Sequence, residues 1–356
     1  VRAIHQFVAG FANGDAISNE ARVLAGIFGS WGCPSDIYCE KHRTLPELRR
    51  QICDIGEARA SVSRDDVVVL HLSIGSVVND VFASLPCRKA IIYHNVTPPS
   101  WFSFVNRQTA VLLEKGLKQV AALADAAPVC MADSAFNAKE LEGMGYRNVK
   151  VLPLVLDFDK LGAMDRRVLG CYRDGRHNIL FVGRCVPNKR IEDLVTAFFH
   201  YHQWVEPASR LIIAGSYAGA ERYYHLLVTK VRELGLTDVH FVGSVPQAQL
   251  NAYYGSASLF LCMSEHEGFC IPLMESLYHF VPVMAYAAAA VPETLAGCGI
   301  LFHEKRYDMI AEMMGHVCRD ARLRESLLKK QADRLRAYRT RDLAGELRSH
   351  LAPLLT

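Results

Sequence analysis

Two acidic side chains, Glu267 and Glu275, are separated by seven residues in the segment Ser264–Glu265–His266–Glu267–Gly268–Phe269–Cys270–Ile271–Pro272–Leu273–Met274–Glu275. The apolar run Leu259–Met263 ahead of it reads as a buried strand. Gly268 permits a tight turn or a close backbone approach. Pro272 suits the first turn of a helix that runs on through Glu275 and Leu277. That order puts a loop and a helix N-terminus at the carboxyl end of a strand, where open α/β sheets bind ligands. Backbone amides exposed there suit phosphate, and a carboxylate one turn into the helix can accept both hydroxyls of a ribose. Taken alone, the same acids also fit an ordinary helix start.

A second segment, Phe181–Val182–Gly183–Arg184 followed by Lys189, also leaves a strand and enters a helix. A guanidinium fork and an ammonium five residues apart, across a loop holding Pro187 and Asn188, can hold a diphosphate. Fixed cations lower the barrier of a reaction whose leaving group is a nucleoside diphosphate, because negative charge grows on it in the transition state. The alternative is two cations on a surface loop. In the N-terminal half, Gly14–Asp15–Ala16–Ile17–Ser18 lies between a first strand and a helix, either a phosphate-facing loop or a plain turn with helix capping. His94 closes a strand ahead of Thr97–Pro98–Pro99, and Asp133–Ser134 follows another.

These residues need a scaffold of parallel strands. Short apolar runs recur at Val67–Leu72, Ala90–His94, Val129–Ala132, Val149–Leu152, Asn178–Val182, Arg210–Ala214, Val239–Val242, Leu259–Met263 and Val281–Ala285. Each is short and mostly apolar, as strands covered on both faces are. Helical patterns lie between them. Asn19–Phe28 is one; Ile191–Trp204 is another and opens on Glu192 and Asp193, which suit the positive end of a helix dipole. Strand–helix alternation implies doubly wound α/β sheets. The rhythm lapses between Leu156 and Arg176, which sets an expected division into 1–157, 176–335 and a C-terminal helix 336–356. Arg322 to Leu355 reads as one helical pattern with a break near Tyr338, too long for a last crossover and able to run back onto the first domain.

With 356 residues the chain has room for two α/β domains. A net charge of +3 lacks the clustered basic surface of a nucleic-acid binder. From Arg319 to Thr356 there are ten Lys/Arg against five Asp/Glu. That excess is either a solvated helix face or a patch for anionic lipid headgroups, hence a peripheral membrane contact. Eleven cysteines without a C-x-x-C pair suit neither a zinc site nor a disulfide framework and fit a reducing cytoplasm. No run approaches the ~20 apolar residues of a spanning helix. No G-x-G-x-x-G follows a strand, which argues against a dinucleotide oxidoreductase.

Taken together, Gly183–Arg184…Lys189 and Glu267…Glu275 resemble the retaining GT-B glycosyltransferases of glycosyltransferase family 4, whose G-R-x4-K loop and E-G-F-x-x-P-x-x-E segment stand here in order. Phe241–Val242–Gly243–Ser244–Val245 resembles the family's segment near the nucleobase. Phe280–Val281–Pro282–Val283 resembles the strand after the E-x7-E helix, with Phe280 where relatives usually carry Gly. The resemblance is strong over 178–300 and weaker over 1–157. It implies two Rossmann-like doubly wound domains with a cleft between them and a C-terminal helix crossing back. It also implies metal-independent transfer from a nucleoside-diphosphate sugar, UDP- or GDP-linked, with no tightly bound cofactor.

By that resemblance Arg184 and Lys189 contact the donor diphosphate, Glu275 the ribose, and Glu267 the donor sugar. Gly268 and the backbone of Phe269, Cys270 and Ile271 lie by sugar and phosphate, with Gly183, Val242, Gly243 and Ser244 completing the donor site. His94 faces the sugar. Gly14 and Asp15 form the N-terminal loop, although Asp15 replaces a second glycine and weakens its expected phosphate contact. Asp157–Phe158–Asp159 spells the metal signature of the other large glycosyltransferase fold, yet lies in the junction rather than at a mid-domain strand end. The expected reaction is a front-face displacement onto a hydroxyl of a saccharide, a lipid-linked saccharide or a small molecule, with Glu267 not acting as nucleophile. Two other readings share this shape: a nucleotide-sugar epimerase and a silent nucleotide-sugar-binding subunit.

Overall fold

The computed structural model describes the whole chain, Val1–Thr356. It forms two compact units. The first comprises Val1–Ser100, Gln108–Asp157 and Asp342–Thr356; the second comprises Trp101–Arg107 and Phe158–Arg341. Each is a Rossmann-like domain built on a wholly parallel sheet, of seven strands in the first and six in the second.

In the first unit the strands are β1 (Ile4–Val8), β2 (Ile37–Cys39), β3 (Cys53–Asp54), β4 (Val67–Leu72), β5 (Arg88–Tyr93), β6 (Val129–Ala132) and β7 (Lys150–Val151). They stand in the order β3-β2-β1-β4-β5-β6-β7. Every residue of β1 and β4 is buried, the polar His5, Gln6 and His71 included. The order reverses between β1 and β4, so the loops leaving these strands part and open a crevice at their carboxyl ends. The helix Leu343–Leu355 belongs to this unit. Leu347 and Leu351 are fully buried, and Arg88 of β5 donates to the carbonyls of Leu354, at 2.8 Å, and Thr356.

The second unit holds β8 (His177–Val182), β9 (Ser209–Ala214), β10 (Val239–Gly243), β11 (Leu259–Cys262), β12 (Val283–Tyr286) and β13 (Ile300–Phe302), in the order β10-β9-β8-β11-β12-β13. Its switch point falls between β8 and β11, the strands that carry both sequence motifs. Gly215, just past β9, is required by packing: a Cβ there would lie 1.9 Å from the Gly183 carbonyl oxygen. The long helix Ala321–Arg339 packs on the helix Ile271–Tyr278. Its buried Gln331 donates to the Val281 carbonyl at 2.8 Å and accepts from the Val283 amide at 3.0 Å, gripping the chain on both sides of Pro282.

The strands expected at Val67–Leu72 and Val129–Ala132 are found with those bounds, and the others shift at their ends. Three differences have physical reasons. The stretch that lost its rhythm holds a short helix, Arg166–Cys171, capped by Asp165 through the amides of Arg167 and Val168. None of its residues is fully buried, so it leaves no apolar signature. The strands β2, β3 and β13 have three residues or fewer, too few to show a pattern. The C-terminal helical run breaks at Thr340–Asp342, just past Tyr338, where Asp342 accepts from the Gly345 amide at 2.9 Å and starts the last helix.

Candidate functional site

At the switch point of the second sheet, two loops are joined by their backbones. The loop after β8 turns through Pro187–Lys189, and Arg190 adopts a left-handed conformation, φ 52°, at the start of the helix Ile191–Trp204. The loop after β11 runs from Met263 to Cys270. The Glu265 amide donates to the Asn188 carbonyl at 3.0 Å, and the Asn188 side-chain amide donates to the His266 carbonyl at 3.0 Å. Charges reinforce the join. Arg190 Nε lies 3.0 Å from Asp193 Oδ2 and 3.2 Å from Glu265 Oε1, and Lys305 reaches the same two carboxylates. Asp193 thus serves more than the helix dipole.

The join delivers Lys189 onto Glu267, with Nζ 2.6 Å from Oε2. Burial works against the ammonium, but Glu267 outweighs it and holds the Lys189 pKa above its ordinary value. Arg184 stands apart from this pair. It is exposed, and its guanidinium donates to the Ala218 carbonyl at 3.3 Å. Gly183, at the end of β8, has φ 154°.

Pro272 lies in the first turn of Ile271–Tyr278, and Glu275 sits on that helix, buried. Tyr254, from the helix Gln247–Ser256, donates its hydroxyl to Glu275 Oε2 at 2.8 Å. Burial raises the Glu275 pKa, and the Tyr254 bond opposes the rise. His279 stacks on Tyr254, centroids 5.1 Å apart and planes 9° apart, and burial pushes its pKa down to about 4. The Phe269 carbonyl accepts from Thr294 Oγ1. Cys270 caps the helix with φ 70°. Its sulfur, the Cys262 sulfur and a Glu267 oxygen lie within 4.8 Å of one another, so two cysteines that read as apolar filling meet beside Lys189. Phe280, where relatives carry Gly, has φ 56° and is 60 % exposed, the backbone that favours glycine. At the end of β10, Gly243 has φ 68°, and its carbonyl accepts from the Gly215 amide at 2.8 Å; Val242 is half-buried and Ser244 exposed.

Gly14, Asp15 and His94 lie in the first unit. Gly14 has φ 72°; Asp15 caps the helix Ala16–Ser30, accepting from the Ser18 amide at 2.8 Å and the Ser18 hydroxyl at 2.7 Å. The aspartate that replaces the second glycine therefore starts a helix. Ser134 caps Ala135–Gly143. Asp133 accepts from His94, with Oδ2 3.0 Å from Nδ1. Phe158, the middle of the D-x-D triplet, stacks on Tyr278 and meets Tyr338 edge-on, an apolar anchor. Sequence reasoning missed Gln6, Glu20, His71, Asn188 and Tyr254. Their partners lie on other, sequence-distant segments, and each alone reads as core filling or a surface polar residue. No helix is long and apolar enough to cross a membrane.

Residues 172–334 match the family Glycosyl transferases group 1. The chain is 26 % identical over 132 residues to O-antigen chain mannosyltransferase B of Escherichia coli, covering 37 % of this chain and 34 % of that protein. It is 30 % identical over 125 residues to a GDP-mannose-dependent alpha-mannosyltransferase of Mycolicibacterium smegmatis, covering 35 % and 29 %. These alignments span about a third of the length of those relatives. Over the whole chain the fold is that of GT-B glycosyltransferases. Anabaena HepE, solved with UDP and glucose, superposes with a TM-score of 0.75 at 15 % identity, covering 100 % of this chain and 99 % of that one. Sucrose-phosphate synthase of Thermosynechococcus elongatus superposes with 0.78 at 16 %, covering 99 % of each.

Proposed function

We propose that the protein is a retaining glycosyltransferase of family 4 that moves a hexose unit from a nucleoside-diphosphate sugar to an acceptor hydroxyl in glycan, cell-surface polysaccharide or glycoconjugate synthesis. One observation carries the reading. The joined loops at the β8/β11 switch point set Lys189 on Glu267, in the segment that opens the Glu275 helix. This is a site for a diphosphate with a sugar on one side and a ribose on the other.

Lys189 and Arg184 take the diphosphate as its charge grows, assisted by the helix N-terminus at Ile271. Glu275 accepts from the ribose hydroxyls. Glu267 is committed to Lys189, which suits binding of sugar hydroxyls better than nucleophilic attack. The bond from the anomeric carbon to the phosphate oxygen breaks while the acceptor oxygen bonds to the same face. The acceptor proton passes to the departing phosphate. His94 is assigned to the donor sugar. The mannosyltransferase relatives make GDP-mannose the first donor to test, ahead of UDP-glucose.

The test is thermal unfolding with GDP, UDP, ADP, dTDP and NAD, with and without Mg²⁺, on wild type and Glu275→Ala, followed by assay of the stabilising nucleotide's sugars with saccharide acceptors. Stabilisation by one nucleoside diphosphate, independent of metal and lost in the variant, is expected. Response to NAD alone, or release of an altered free sugar without any acceptor, would overturn the assignment.

A further inference from the structure

A row of buried polar side chains crosses four adjacent strands of the first sheet. Gln6 lies on β1, His71 on β4, His94 directly after β5, and Asp133 directly after β6. Gln6 Oε1 is 3.0 Å from His71 Nε2, His71 Nδ1 is 2.8 Å from His94 Nε2, and His94 Nδ1 is 3.0 Å from Asp133 Oδ2. Gln6, His71 and Asp133 are buried, and the His94 side chain is only 3 % exposed.

The ends of the row fix its protons. The Gln6 side-chain nitrogen donates to the Ala21 carbonyl at 2.8 Å and to Ser35 Oγ at 3.2 Å, so its oxygen faces His71 and must accept. His71 therefore carries a proton on Nε2. At the other end the Asp133 carboxylate accepts from His94 Nδ1. With Asp133 ionised, two neutral rings have no third proton, and their facing nitrogens would be two bare lone pairs 2.8 Å apart; between His94 and Asp133 the proton goes to the imidazole, the more basic of the two groups. The ring planes lie 5° apart with centroids 5.0 Å apart, so the rings meet edge to edge, as in an N–H···N hydrogen bond. A proton on a carboxylate outside the row does not lie between them.

We infer that His94 is held as an imidazolium that donates from both nitrogens, to Asp133 and to His71, and that His71, oriented by Gln6, is the positioning residue that keeps it charged. The groups facing His94 fit this charge. Glu20, from the helix Ala16–Ser30, places Oε2 3.5 Å from His94 Nε2, while its other oxygen accepts from the Val155 amide. Glu20 Oε2 and Asp133 Oδ1 are both buried without a hydrogen-bond donor, and carboxylate oxygens so placed call for a nearby cation. Asp15 adds a more distant negative charge. Burial opposes the imidazolium, but Asp133 first and then Glu20, whose own pKa burial raises to about 7, outweigh it and push the His94 pKa up to about 9. Burial and the neighbouring His94 charge hold His71 well below its ordinary value.

For the reaction, and resting on the assignment of His94 to the donor sugar, this makes the ring a fixed cation rather than a general base, with both N–H groups already given to Asp133 and His71. The test is ¹⁵N-histidine NMR of the full chain, titrated from pH 6 to 10 without nucleotide, with His71→Asn and His71→Leu for assignment and contrast. Expected at pH 7 are two protonated nitrogens on His94, and one protonated and one bare nitrogen on His71. His71→Asn, whose side-chain oxygen can stand in for Nδ1, keeps His94 charged. His71→Leu lowers its pKa by about one unit or more. A bare His94 nitrogen at pH 7, or displacement of the shared proton by a bound divalent ion in the native protein, would overturn the inference. The wild-type titration decides even if His71→Leu does not fold. A charged His94 in a chain that transfers no sugar leaves this inference standing and removes the functional one.

Discussion

Lys189 Nζ lies 2.6 Å from Glu267 Oε2, although 78 positions separate the two residues. Neither side chain creates the contact. Asn188 joins the two loops, accepting from the Glu265 amide at its carbonyl and donating its side-chain amide to the His266 carbonyl, and Arg190 and Lys305 hold the Glu265 carboxylate. The pair is largely removed from water, so breaking it from one side leaves a buried carboxylate without its cation.

Lys189→Ala therefore has two separable effects. Under the proposed function its kcat falls by about 10²–10³, the usual loss when one donor to a developing oxyanion is removed. Stability falls by about 1–3 kcal/mol because Glu267 is left unpaired. Adding Glu267→Gln to Lys189→Ala restores much of the stability and none of the kcat. Thermal unfolding and steady-state rates on the three variants check this. A double variant with recovered rate would show that Lys189 serves only to neutralise Glu267.

Tyr254 and Glu275 predict a pH dependence. Glu275 has a raised pKa, by burial first, and the Tyr254 hydrogen bond lowers it. Under the proposed function, ribose binding uses the carboxylate, which is present above that pKa and lost as pH falls through it. Tyr254→Phe removes the opposing bond, raises the pKa further, and moves the acid loss of nucleotide binding to higher pH. Glu275→Gln removes the charge at all pH values and weakens binding by about 10- to 100-fold, the range for a hydrogen bond to a charged group. Calorimetric Kd values between pH 5 and 8 decide it. Superimposable acid limbs for wild type and Tyr254→Phe would dissociate Tyr254 from the site.

Much of the second unit was legible because its chemistry is local. Gly183, Arg184 and Lys189 fall within one loop, and Glu267 to Glu275 within another, each behind an apolar run that forms a strand. The Arg166–Cys171 helix was illegible because it is held by a capping aspartate instead of an apolar stripe. The row through His94 was illegible for a different reason. Gln6, His71 and Asp133 come from strands whose adjacency is set by sheet order, and a polar residue in an apolar strand gives no sign of its partner. Tyr254 belongs with them, since nothing in its helix shows that its hydroxyl ends on Glu275. Asp15 suits both a phosphate-facing loop and a helix cap, and its capping bond, to Ser18, spans only three residues.

Cys270 offers a test of how backbone conformation shapes the site. At φ 70° it occupies a region that costs a residue with a Cβ about 1–2 kcal/mol, and it does so at the N-terminus of the helix that carries Glu275. The constraint is the backbone and not the sulfur, whose pKa is pushed well up, by its hydrogen bond to Cys262 first and by burial second. Cys270→Gly relieves the strain while losing thiol packing and adding chain entropy to the unfolded state, terms of similar size. It should stay within about 1 kcal/mol of wild type and keep nucleotide affinity. Cys270→Val adds about a methyl group at a buried position and places a branched Cβ at positive φ, where it is least tolerated. It should lose more than about 2 kcal/mol, on the scale of backbone strain at such sites, and weaken nucleotide binding as the helix start shifts. Thermal midpoints and nucleotide Kd values for the two variants separate the accounts. If glycine proves as damaging as valine, the thiol and its contact with Cys262, not the turn, hold this end of the helix.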